Sequence, residues 1–145
     1  MRYPGGFMKN QLLALIGMGV LLATASAYAQ TGLVKASIPF NFIVEKATLP
    51  AGQYSIHGLS AASRVMTIQS ADHKFTKMVL PNSCESRDAA KTTRLVFHRY
   101  GDQYFLAEVW TEGKELGQEV ARSTREAEVA ASQPAMNVVV VATLR

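Results

Sequence analysis

The chain has 145 residues, a mild net charge of +4 (15 Lys and Arg against 11 Asp and Glu) and a single cysteine. One cysteine excludes an internal disulfide, so the fold must rest on a hydrophobic core. Basic and acidic residues are interspersed, with RDAAKTTR (87–94) as the densest basic stretch. That pattern argues against nucleic acid, which requires a continuous basic face.

The first element in chain order is an export signal. Arg2 and Lys9 make a basic start, LLALIGMGVLLATA (12–25) is almost wholly apolar, and Ala27-Tyr28-Ala29 closes the segment as an A-x-A cleavage site. The pattern predicts a signal peptide over residues 1–29, cleaved before Gln30, and a periplasmic or extracellular location. The apolar run is shorter than the about 20 residues a spanning helix needs, so a membrane enters only through an uncleaved signal segment. Cleavage removes Arg2 and Lys9 and leaves 116 residues with a net charge of +2. In an oxidising compartment Cys84, within PNSCESRD, is a free thiol, an intermolecular bridge or a buried inert residue.

A single β-rich domain is expected over residues 33–145. Val34, Ala36, Ile38, Phe40, Phe42 and Val44 alternate with mostly polar residues, the period of a strand with one buried face. Pro39 has no amide to donate, which places this strand at a sheet edge or at a bulge. In LPAGQYSI (49–56) Pro50 sets a turn and Gly52 releases it. A strand over 53–59 follows, then strands over 64–69 and 75–80 joined by the polar tip Asp72-His73-Lys74. Residues 81–92 read as a long polar loop. Arg94–Tyr100 and Gln103–Trp110 flank Gly101-Asp102, a two-residue hairpin connection.

Gly113 and Gly117 break regular structure. Ser123 to Glu126 is a Ser-x-x-Glu capping box and predicts a short helix over 124–131, ended by Pro134. NVVVVATL (137–144) reads as a central strand buried on both faces. The sum, about seven short strands and one short helix near the C-terminus, predicts an all-β, single-domain sandwich or small barrel.

Chemistry is sparse. His57, His73 and His98 lack metal-ligand spacing, so neither a metal nor a cofactor is expected. There is no G-x-S-x-G elbow and no catalytic set. Glu108 lies among apolar residues on a strand, as a functional carboxylate or as a cross-strand partner of Arg94 or Arg99. Tyr104 and Trp110 belong to an aromatic set (with Phe97, Tyr100 and Phe105) that forms the core or, exposed, grips a sugar or an apolar partner. Glu108, Trp110, Tyr104 and Arg99 are therefore the candidate ligand or interaction residues. Cys84, Asp88 and Lys91 in the 81–92 segment are the other polar group, of a kind a hydrolase would use.

Three blocks, IPFNFIVEKATLPAGQYSI (38–56), LVFHRYGDQYFLAEVW (95–110) and RSTREAEVA (122–130), resemble a group of small exported proteins common in acidobacterial genomes. Those proteins share an IPFxF strand, an LPAGxY turn, an RYGDxYFL-type hairpin and an SxxE-type helix. The resemblance implies an exported β-domain and carries no catalytic residues. LPAGQYSI alone is also similar to the turn-and-strand piece of transthyretin-like and carboxypeptidase-regulatory-like sandwich domains, which concerns fold rather than function.

The leading expectation is a non-enzymatic, exported β-domain with an envelope-associated binding or structural role. Its partner is a protein, a glycan or another copy, and strand 34–44 offers a pairing edge. A barrel carrying a small apolar ligand and a hydrolase with an unrecognised site are the alternatives.

Overall fold

The alternation that opens the domain builds a strand, but a shorter one than the pattern predicts. The computed structural model describes residues 32–60 and 62–145, so the signal peptide expected over 1–29 lies outside the described residues. Strand β1 (Val34–Ile38) buries Val34, Ala36 and Ile38 and exposes Lys35 and Ser37. The chain then leaves the sheet at Pro39, whose missing amide cannot continue a ladder, and re-enters as β2 (Phe42–Val44). A tight turn at Glu45-Lys46, with Glu45 at φ 55°, returns it as β3 (Ala47–Leu49).

Two ties fix the LPAGQY turn. The Ala51 amide donates to Asn41 Oδ1 at 2.9 Å, and the Tyr54 hydroxyl donates to the Pro50 carbonyl at 2.6 Å. Strand β4 (Gly52–His57) leads to β5 (Met66–Ser70) and β6 (Thr76–Val79). The 81–92 segment is not simply a loop: Asn82–Glu85 form β7. The hairpin pairs β8 (Arg94–Tyr100) with β9 (Gln103–Trp110) about Gly101, whose φ of 58° favours glycine. Gly117 lies within a further strand, β10 (Leu116–Glu119), rather than interrupting one. Helix α1 (Thr124–Ser132) follows, N-capped by the Ser123 side chain. Strands β11 (Met136–Val141) and β12 (Thr143–Leu144) end the described chain.

The strands form two sheets, so the fold is a sandwich rather than a barrel. One sheet has the order β12-β1-β4-β5-β6. The other has the order β11-β8-β9-β10-β7, with β2 joined to β9 and β3 to β2. The expectation of an edge at 34–44 holds only in part, for residues 36–38, which have no second neighbouring strand among the described residues. β1 has β4 on one side along its whole length and β12 on the other at Val34 and Lys35. The C-terminal run is likewise not central. Among the described residues β11 pairs only with β8, and after Ala142 the chain crosses to the first sheet as β12.

Between the sheets, Phe42 meets Tyr54 and Phe97 edge-to-face, and Phe40 meets Phe97 in the same way. Val34, Ile56, Met66 and Leu95 are fully buried around them. A bulge opposite Val96 and Phe97 leaves Ala107 unpaired in the β8–β9 ladder. The bulge shifts the alternation, so Leu106 and Val109 both face the core. The outer face of the second sheet is covered in part. Val129 and Ala130 of α1 pack on Ile43, Tyr100 and Phe105, and Ala90 packs on Val96 and Trp110.

Candidate functional site

The hairpin does not hold its four predicted residues together. Tyr104 and Arg99 lie opposite each other at the turn end. There Tyr104 stacks on Phe40 with ring centroids 3.8 Å apart, and the Arg99 guanidinium sits over the Tyr104 ring at 5.4 Å. Glu108 and Trp110 stand beyond the Ala107 bulge on the other face. Trp110 is only 6% exposed, so it is a core residue and not a surface platform. Its ring lies against Gly117, where a Cβ would come within 2.8 Å of ring carbons. Trp110 Nε1 donates to Glu108 Oε2 at 2.6 Å. This indole, rather than Arg94 or Arg99, is the partner of Glu108, because the bulged register sets Glu108 opposite Val96 and leaves Arg94 over the indole at 5.5 Å.

Cys84 is a strand residue of β7, half-buried beside the Ala90–Trp110 cluster. Burial, together with the charges of Glu108 and Glu119, pushes its thiol above the ordinary value, which opposes formation of the reactive thiolate. Asp88 and Lys91 are exposed, and among the described residues no hydrogen bond or ion pair links them to Cys84.

A polar cluster under α1 escapes sequence reasoning. Period two places His98 and Tyr100 on one face of β8, but only the docking of α1 brings Glu126 onto them. Glu126 is 4% exposed. Its Oε1 is 2.7 Å from His98 Nδ1 and accepts from the Tyr100 hydroxyl at 3.1 Å, while Arg122 Nε lies 3.9 Å away. The capping box is thus made on one side: the Glu126 amide donates to Ser123 Oγ at 3.1 Å, and its carboxylate turns down to the sheet. Burial and the adjacent carboxylate raise the Tyr100 pKa. The cluster clamps the helix to the sheet.

The feature best suited to contacting a partner is the edge formed by β11. Val138 and Val140 pack on the core, while Met136, Val139 and Val141 are 63%, 52% and 67% exposed. An unpaired edge presents a row of free backbone donors and acceptors, and proteins normally guard it with charge, proline, shortness or a bulge. The other terminal strands of the sheets are guarded. β6 carries Lys77, which pairs with Glu45 at 2.8 Å; β7 follows Pro81 and ends in Glu85; β3 and β12 are very short. MNVVVV has no charge, no proline and no bulge in its ladder to β8. Sequence reading missed it because a valine run reads equally as a buried strand. Among the described residues, no group of His, Cys, Asp or Glu is placed to hold a metal, and no helix is long and apolar enough to cross a membrane. No family model, curated protein or solved structure matches this chain.

Proposed function

We propose that this chain is an exported, non-enzymatic β-domain with a binding or structural role at the cell envelope, and that it associates with a second copy through β11. The observation that carries the reading is the unguarded edge with its exposed Met136, Val139 and Val141. A twofold axis perpendicular to the sheet at Val139 sets Val139 opposite its own copy, Val138 opposite Val140 and Asn137 opposite Val141. That register keeps core-facing valines beside core-facing valines and opposes no like charges. Export is supported by the pattern of residues 1–29. A non-catalytic role is supported by the commitments of the carboxylates most suited to acid–base work: Glu126 holds α1 and Glu108 holds Trp110. The aromatic filling of the inter-sheet space favours association over carriage of an apolar ligand.

Size-exclusion chromatography with light scattering on the chain from Gln30 tests the association. The expected result is a dimer for the parent and a folded monomer for Val139→Lys, whose far-ultraviolet circular dichroism matches the parent's because the side chain is exposed in the single chain. A parent that stays monomeric at high concentration, or a dimer that survives Val139→Lys, overturns the reading.

A further inference from the structure

The outer face of the β12-β1-β4-β5-β6 sheet has a composition that asks for a ligand. Thr143, Lys35, Ser55, Gln69 and Thr76 stand directly opposite one another on successive strands. Opposed residues share a face, so these five form one polar row across the sheet. At the ~4.8 Å spacing of neighbouring strands the row is about 19 Å long. Ser37 and Gln53 begin a second row beside it. A groove of about 670 Å³ runs along this face.

The side-chain charge of the groove is one-sided: Lys35 and Arg145 line it, and among the described residues no Asp or Glu side chain does. Neither Lys35 nor Arg145 has an ion-pair partner among the described residues. Asp72, next to His73 in the chain, has a carboxylate oxygen already engaged by Ser70 Oγ at 2.6 Å and by the Lys74 amide at 3.1 Å.

From this we infer that the groove binds an extended glycan bearing carboxylate groups. Hydroxyl and amide side chains both donate and accept, which matches sugar hydroxyls that do the same. The two free cations supply charge-assisted hydrogen bonds to the uronate carboxylates. The Tyr54 ring is buried beneath the face and offers no stacking surface. Recognition therefore rests on charge and hydrogen bonds, and binding weakens as salt is raised. An acidic peptide has the charge but lacks the hydroxyls that the serine, threonine and glutamine rows would meet.

Isothermal titration with sodium polygalacturonate in low-salt buffer is the test, with fully methyl-esterified polygalacturonate and poly-glutamate as the comparison probes. The expected result is binding of polygalacturonate that is lost as salt rises and is much weaker for both comparison probes. The double variant Lys35→Glu, Arg145→Glu is expected to lower affinity by about tenfold or more, the loss of two charge-assisted contacts. Its melting temperature should match the parent's, since both side chains are exposed. The pair Gln53→Ala, Gln69→Ala should weaken binding while leaving its salt dependence in place. No binding by the parent, equal binding of poly-glutamate, or unchanged affinity in the charge-reversed variant overturns the inference.

Discussion

Replacing Glu126 by alanine removes the acceptor that holds α1 to the sheet, and the structure sets the size of the effect. The Tyr100 hydroxyl, on a residue 2% exposed, loses its partner with no access to water. An orphaned buried donor of this kind costs about 1–3 kcal/mol. The His98 side chain is 25% exposed and regains water, so its loss adds less than about 1 kcal/mol. The helix N-cap survives, because it uses the amide of residue 126. The total is about 1–4 kcal/mol, which in urea lowers the midpoint by about 0.5–2 M for a domain of this size.

Trp110 is the sole tryptophan and is buried, so its fluorescence follows the transition. Glu126→Gln keeps an acceptor and should lose less. Arg122→Ala, at the exposed rim, should stay within about 0.5 kcal/mol of the parent. Tyr100→Phe combined with Glu126→Ala should cost clearly less than the sum of the two single changes, because both remove one shared bond. A Glu126→Ala midpoint equal to the parent's, or strict additivity with Tyr100→Phe, would refute the clamp.

Three further outcomes follow from the same contacts. Burial holds the Tyr54 and Tyr100 phenols above their ordinary value of 10.0, with the charges of Asp72 and Glu126 respectively adding to it. Their contribution to stability is whole below about pH 10 and is lost as pH rises through the raised folded values, because there the unfolded chain ionises first. Near-ultraviolet circular dichroism should show alkaline unfolding above about pH 10, and Tyr100→Phe should lose less stability across that window. Gly117→Ala drives a methyl into the Trp110 ring and should cost about 1–3 kcal/mol in thermal unfolding; an unchanged melting temperature would show that the ring moves freely. Cys84 should react with Ellman's reagent at pH 8 more than about tenfold slower in the folded chain than in urea, and equal rates would count against the raised thiol pKa.

The hairpin's two strands and its turn were legible in sequence: two β-rich runs flank Gly101-Asp102, and the strand limits match. The capping box located α1 as reliably, because Ser123 and the first helical amides are a local matter. What escaped depends on distant chain. Pro39 stops β1, yet nothing local shows that β12, more than a hundred residues later, lies beside it. The valine run is ambiguous in the same way, since burial of a strand is a property of its neighbours. The bulge at Ala107 reversed the facing of Glu108 and Trp110, so the four candidate residues of the hairpin are split between two faces of the sheet. The Glu126 cluster needed the docking of the helix, and the sheet-face rows needed the register of five strands.

The crossing at Ala142 also sets an order of events in folding. The Ala142 amide donates to the Thr93 carbonyl in one sheet, while two residues later Leu144 pairs with Val34 in the other. The same short stretch therefore closes both sheets. During synthesis from the N-terminus, β1 has β4 and β8 has β9 as early neighbours, but their second neighbours, β12 and β11, are made last, and contacts of such sequence separation slow folding. A truncation or fusion that disturbs residues 141–145 should weaken both sheets together rather than fray one end.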